Sequence, residues 1–110
     1  MIQIFGVKSC NDTKKAIRFF KDRKIDVQFI NLKEKEISKG ELKSITKNFD
    51  IEDLLDRDGK EFKKRNLKYY VFDTLELLIE SPILFKTPIL REKDKVTIGY
   101  KPEIWKEWIK

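Results

Sequence analysis

The sequence predicts an α/β fold with a four-stranded mixed sheet, and three observations predict it. Residues 2–7 and 26–32 are short segments rich in Ile, Val and Phe, separated by one amphipathic stretch of helical period. A helix-patterned middle follows over about residues 34–82. Two further strand-like segments, 87–90 and 96–98, then lead into a last helix. The order is strand–helix–strand, helical insertion, strand–strand–helix.

Residues 2–7 carry Ile2, Ile4, Phe5 and Val7, a buried strand closed by Gly6 and a polar turn. Lys8-Ser9-Cys10-Asn11 is the loop. A helix runs from about residue 12 to 23. Ala16, Ile17 and Phe20 share one face, Phe19 widens it, and Lys14, Lys15, Arg18, Lys21 and Asp22 line the rest. Cys10, Asn11 or Asp12 stands near its N-cap, and Asn and Asp are good caps. Residues 26–32, with Val27, Phe29 and Ile30, form the second strand. A strand–helix–strand unit of these lengths has parallel strands and a right-handed crossover. Ligands of such units meet the carboxyl end of the strand and the amino end of the helix, where Cys10 lies.

In the middle, Ser38 and Glu41 have the spacing of a capping box. The helix they open carries Leu42, Ile45 and, at its end, Phe49. Asp56-Arg57-Asp58-Gly59 signals a turn after Leu54-Leu55. Residues 60–67 read as a short helix with Phe62 and Leu67 inward. Residues 70–80 read as a stronger one, with Val71, Phe72, Leu75, Leu78 and Ile79 on a broad apolar face, ended by Pro82. Residues 87–90 and 96–98 pair as an antiparallel hairpin across the charged loop 91–95. Pro102 opens the last helix, whose apolar face is Ile104, Trp105, Trp108 and Ile109. No linker or repeat interrupts the chain, so residues 1–110 read as one domain with the insertion at about 34–82. The element order is that of a thioredoxin-like sheet with helices inserted after the second strand.

Composition narrows the chemistry. The 110 residues are enough for one core, and the apolar share of 40% suits a folded domain. The net charge of +6 comes from 25 Lys and Arg against 19 Asp and Glu, many of them adjacent, as in Lys33-Glu34-Lys35-Glu36. A solvated mixed-charge surface is the reading. One cysteine excludes an intrachain disulfide and a cysteine-rich zinc site, and the lack of histidine removes the usual metal ligand and catalytic base. No metal site is expected. No apolar run approaches the ~20 residues of a membrane span, and no signal-peptide pattern opens the chain, so a cytoplasmic location is expected. A free thiol stays reduced there. The aromatics pattern as core without a recognised stacking or groove-reading motif, so direct nucleic-acid binding is not expected.

Cys10 has two readings. A lone cysteine is often a small buried hydrophobe. At a helix N-terminus near cations its pKa falls below the ~8.5 of a free thiol, and the thiolate is the reactive form. Lys8 and Lys14 are close in sequence; the Asp12 carboxylate opposes the anion where it faces the sulfur. The residues alone leave both readings open. The second feature is Thr87-Pro88 at the start of a late strand. In thioredoxin-like folds a cis-proline stands there, opposite the cysteine loop, although trans is the prior for any X–Pro bond.

Four stretches carry a resemblance: Ile4-Phe5-Gly6-Val7-Lys8-Ser9-Cys10-Asn11-Asp12-Thr13-Lys14-Lys15-Ala16, Leu54-Leu55-Asp56-Arg57-Asp58-Gly59-Lys60, Ser81-Pro82-Ile83-Leu84-Phe85-Lys86-Thr87-Pro88-Ile89 and Ile98-Gly99-Tyr100-Lys101-Pro102. In this order and spacing the chain resembles the arsenate-reductase-like family, which contains the ArsC reductases, the YffB-type proteins and the Spx regulators. The resemblance spans essentially the whole chain. It implies a thioredoxin-like fold with a helical insert, Cys10 as the redox thiol and Pro88 as the cis-proline. Backbone beside that proline would pair with an extended thiol peptide such as glutathione. In the family's arsenate reductases the cysteine attacks arsenate, glutathione resolves the adduct, glutaredoxin recycles the enzyme and three arginines hold the oxyanion. Thr87 and Lys101 stand at two of those arginine positions, and only Arg57 can supply the third. Lys86 and Lys101 offer charge without arginine's planar fork. The Spx members have a second cysteine three residues after the first, where this chain has Thr13. Cys-Asn-Asp-Thr is closer to the single-cysteine YffB-type pattern.

The resemblance therefore implies a thiol oxidoreductase with glutathione-linked monothiol chemistry at Cys10, no bound cofactor, and glutathione as co-substrate. Asn11, Thr13, Lys14, Arg57, Thr87, Pro88 and Lys101 would line the site. Two alternatives stand beside it. One is a glutaredoxin-coupled arsenate reductase. The other is an Spx-like regulator that binds RNA polymerase or another protein through the basic surface of the first helix.

Overall fold

A computed structural model describes residues 1–109. In chain order the elements are β1 (Ile2–Gly6), α1 (Asn11–Asp22), β2 (Val27–Asn31), α2 (Lys39–Ile45), α3 (Ile51–Leu54), α4 (Lys60–Lys64), α5 (Thr74–Glu80), β3 (Ile89–Glu92), β4 (Lys95–Ile98) and α6 (Pro102–Trp108). Short 3₁₀ turns cover Leu67–Tyr69 and Pro82–Leu84. The chain divides into two compact units: Met1–Lys35 with the chain from Thr87 onward, and Glu36–Lys86.

The first unit holds the expected four-stranded mixed sheet, in the order β2-β1-β3-β4. β1 and β2 are parallel, with Ile2 opposite Val27 and Gly6 opposite Asn31. β3 runs antiparallel to β1 and to β4. Alternation along β1 sorts its side chains. Phe5 lies level with Ile30 and Ile89, all buried. Ile2 and Ile4 point the other way, into a cluster with Ala16, Phe19 and Phe20 of α1, Leu90 of β3 and Trp105 of α6. The i, i+3, i+4 spacing of Ala16, Phe19 and Phe20 aims that stripe of α1 at the sheet and leaves Lys14, Lys15, Arg18 and Lys21 in water. The Trp105 ring sits 5.4 Å from Phe19 and 5.6 Å from Phe20. A buried indole N–H needs an acceptor, and Thr97 Oγ1 accepts it at 2.8 Å. Polar residues follow the same register: Arg91 donates to Gln3 across the β1–β3 pair at 2.7 Å.

The second unit holds α2 to α5. Ser38 and Glu41 form the expected capping box: the Ser38 hydroxyl accepts from the Glu41 amide at 3.1 Å and the Glu41 carboxylate accepts from the Ser38 amide at 3.0 Å. Several boundaries differ from the sequence reading, each for a local reason. α2 stops at Ile45, where Thr46 turns its hydroxyl back onto the Leu42 carbonyl at 2.9 Å, so Phe49 lies beyond the helix. α4 stops at Lys64; Asn66 adopts a left-handed φ of 54°, and Leu67 falls in the 3₁₀ turn that follows. The helix expected over residues 70–80 begins only at Thr74, because Asp73 caps it by accepting from the Glu76 amide at 3.1 Å. Tyr70 is therefore extended and Val71 wholly exposed rather than inward. Leu75 is exposed too, and Leu78 is the buried aliphatic of α5. In the first unit, Thr87 and Pro88 precede β3 rather than belong to it, and Ile104 of α6 faces outward while Trp105 carries the burial.

Candidate functional site

β1 ends at Gly6, and the turn through Lys8 and Ser9 is closed by the Cys10 amide donating to the Val7 carbonyl at 3.0 Å. Cys10 is the N-cap of α1, with φ −82° and ψ 122°. Its carbonyl already accepts the first helical bond, from the Lys14 amide at 3.1 Å, while its side chain caps nothing. The sulfur is thus left free at the positive end of a 12-residue helix. The thiol points to the Thr87 carbonyl at 3.7 Å. The peptide bond between Thr87 and Pro88 is cis.

Thr13 is fully buried one turn into α1, and its Oγ1 has no hydrogen-bond partner among the described groups. It packs against the end of β1, and a methyl group on Gly6 would lie 2.6 Å from that oxygen and 2.7 Å from Cγ2. Glycine is what admits threonine at this depth. The half-buried sulfur and this hydroxyl are coupled. Burial pushes the Cys10 pKa up, but hydrogen bonds from the side chains of Thr13 and Thr87 and from the backbone amides of Thr13 and Asp12 outweigh it and lower the pKa below its ordinary value. Thr13 makes no formed hydrogen bond to the neutral thiol; its hydroxyl acts on the pKa by favouring the ionised form.

The structure thus brings Cys10, Thr13, Thr87 and Pro88 together. Asn11 and Lys14 sit in the first turn of α1 with exposed side chains. Lys101, also exposed, is the N-cap of α6. Asp12, read as an opponent of the anion, contributes its amide in favour of it. Arg57 belongs to the second unit. There it bonds Glu52 at 2.8 Å, and Glu52 also accepts from the Thr74 hydroxyl. Thr74 first and Arg57 second hold the Glu52 carboxyl below its usual pKa. Sequence reasoning missed this Glu52–Arg57–Thr74 cluster, whose members lie 5 and 22 residues from Glu52. It also missed Gly6, whose signal was a glycine seven residues before a threonine that the helical period placed inward. Among the described residues no cluster of three or more His, Cys, Asp or Glu could hold a metal ion. No helix there is long and apolar enough to cross a membrane.

Comparison with known proteins places this geometry. The uncharacterized protein YusI of Bacillus subtilis (strain 168) is 27% identical over 113 residues, spanning 96% of either chain. The regulatory protein MgsR of the same organism is 31% identical over 106 residues, 92% of this chain and 84% of its own. A solved YFFB protein superposes with a TM-score of 0.83 at 23% identity, covering 97% of each chain. The glutaredoxin grx-1 of Archaeoglobus fulgidus superposes with a TM-score of 0.51 at 21% identity over 99% of this chain and 85% of its own. These two likenesses show the fold, which is thioredoxin-like. The family model described as the ArsC family matches residues 5–108. With nearly its whole length matched, and the cysteine at the strand–helix junction and the late proline included, the chain belongs to the ArsC family.

Proposed function

We propose that the protein is a single-cysteine thiol oxidoreductase whose Cys10 exchanges mixed disulfides with glutathione. The observation that carries this reading is the donor set around the sulfur: two threonine side chains and two helix-terminal amides shift the group toward the thiolate relative to an ordinary cysteine. The thiolate attacks one sulfur of oxidised glutathione. The S–S bond breaks, one glutathione leaves as thiolate, and Cys10 keeps the other as a mixed disulfide. The chain holds no second cysteine, so a second glutathione thiolate must attack to release Cys10. The Thr87 carbonyl accepts from the neutral thiol at 3.7 Å and does not itself favour the thiolate; Thr87 supports this role through its side chain. Asn11, Lys14 and Lys101 offer exposed polar groups for the charged ends of the tripeptide. Arsenate reduction has less support, because Thr87 and Lys101 lack a guanidinium fork and Arg57 is engaged by Glu52.

Incubation of the folded protein with oxidised glutathione tests the reading. Intact mass should show one adduct per chain, removed by dithiothreitol and not formed by Cys10→Ser. The alkylation rate should titrate below the free-thiol range. A folded protein that takes up no glutathione and titrates like free cysteine sinks it. The likeness to MgsR supports a second reading, a regulator without turnover. Adduct formation without catalysed turnover of a glutathione mixed disulfide would favour that one.

A further inference from the structure

The late start of α5 leaves an unusual surface in the second unit. Tyr69, Tyr70 and Val71 are consecutive and 74%, 65% and 104% exposed. They follow the basic segment from Lys60 to Lys68, which holds five cations and one acid. The second unit as a whole carries ten cations and eleven acids, so this segment is a local concentration of charge rather than a share of a general one. Its one acid, Glu61, is taken by Arg65 at 2.7 Å. Lys60, Lys63, Lys64 and Lys68 are exposed and have no acidic partner among the described residues. The Lys68 ammonium stands 4.9 Å over the Tyr69 ring. Arg57, Asp58, Phe62, Lys63, Asn66, Lys68 and Tyr69 line a groove of about 510 Å³, in which three cations face one acid. That is within the size range of small-ligand sites, and one nucleobase is smaller.

We infer that this Tyr69–Tyr70 and lysine surface binds single-stranded nucleic acid. Flat, solvent-exposed aromatic faces beside unpaired lysines are the two components of such sites: bases stack on the rings and phosphates meet the ammonium groups. A duplex keeps its base faces stacked inside and cannot use the tyrosines. A membrane surface would require aliphatic bulk on an amphipathic helix; α4 has five residues, and Val71 is the only exposed aliphatic side chain of residues 60–72. The sequence alone argued against nucleic acid because its aromatics patterned as core. Tyr69 and Tyr70, with Tyr100 in the first unit, are exceptions that the fold exposes.

Fluorescence anisotropy with labelled oligouridylate and oligothymidylate at low salt tests the proposal on the whole protein. Binding should weaken with salt, with a log–log slope no steeper than about −3, from about −0.7 per phosphate neutralised by four lysines. Tyr69→Ala and Tyr70→Ala should each weaken binding about 5- to 150-fold, the value of one base–aromatic stack, while Tyr69→Phe and Tyr70→Phe retain it. Lys63→Ala and Lys68→Ala should each reduce the slope. These side chains are exposed, and circular dichroism checks that each variant folds. The proposal is overturned if neither oligonucleotide binds, or if both alanine variants bind like the wild type. Equal affinity for a duplex overturns it too, as does binding to phosphatidylserine vesicles or polyglutamate in place of the oligonucleotides.

Discussion

Replacing Gly6 with alanine tests how the candidate site is built. The φ of Gly6 lies outside the left-handed region, so alanine is conformationally admissible. In an open position the change would stabilise by about 0.4–1 kcal/mol through the unfolded chain. Here the new methyl group meets Thr13 Oγ1 at 2.6 Å and Cγ2 at 2.7 Å, where ordinary contact begins at 3.4 Å. Thr13 is wholly buried and has nowhere to retreat without moving α1. Overpacking of this kind costs about 1–3 kcal/mol, so the clash should win and Gly6→Ala should destabilise by roughly 1–2 kcal/mol. Thr13→Ala removes both clashing atoms and leaves only Cβ, at 3.2 Å. Urea denaturation of the four proteins of the cycle should therefore show a favourable coupling of about 1–2 kcal/mol, above the ~0.5 kcal/mol scatter of independent sites. An equal cost of Gly6→Ala in both backgrounds would refute the close-approach argument. A second readout is the thiol: displacing the Thr13 hydroxyl should raise the Cys10 pKa in Gly6→Ala, followed by thiolate absorbance.

Further outcomes follow from the same geometry. Thr13→Val keeps the shape and deletes the hydroxyl, so thiolate absorbance should titrate at a higher pH than in the wild type. The lowered Cys10 pKa means that the unfolded chain binds more protons between the folded value and the unfolded ~8.5. Stability from this group is complete above the unfolded value and is lost as pH falls through the folded one. Urea midpoints should thus rise with pH in the wild type relative to Cys10→Ser, and a flat difference would contradict the shift. Trp105→Ala should cost about 3–5 kcal/mol in denaturant melts, since the ring is wholly buried among Phe19, Phe20 and the sheet. Ser38→Ala breaks the capping box and should cost about 0.5–2 kcal/mol, with the loss confined to amide exchange in α2.

Much of the first unit was legible because its signals are local and mutually consistent. Apolar Ile, Val and Phe marked β1 and β2. The spacing of Ala16, Ile17 and Phe20, widened by Phe19, marked the inner face of α1, of which Ile17 proved only partly buried. The charged hairpin loop marked β3 and β4 as antiparallel neighbours. The thiol was legible as a position, at a strand-to-helix junction. Its chemical state was not. That depends on hydroxyls at 13 and 87, on which amides point at the sulfur, and on how deeply it is buried. In the second unit, the apolar pattern of residues 70–80 suggested more helix than forms. Asp73 ended the pattern by offering its carboxylate to the helix terminus, a choice between a polar cap and an apolar face that periodicity alone does not weigh. Arg57 stood out as a candidate oxyanion ligand, yet its guanidinium is held by Glu52, which Thr74 supports from 22 residues away.

The sequence by itself determined the class of fold, the order of the sheet-forming segments, the single thiol and the absence of a second sulfur to resolve it. These follow from periodicity, capping chemistry and composition, which act over a few residues. Only the tertiary structure decided that Thr13 is buried against Gly6, that the Thr87 carbonyl lies 3.7 Å from the sulfur, and that Tyr69, Tyr70 and Val71 face water. Close packing sets these features. Whether a hydroxyl touches a thiolate, or a ring meets solvent, depends on groups that chain folding brings together from distant positions, such as residues 10 and 87.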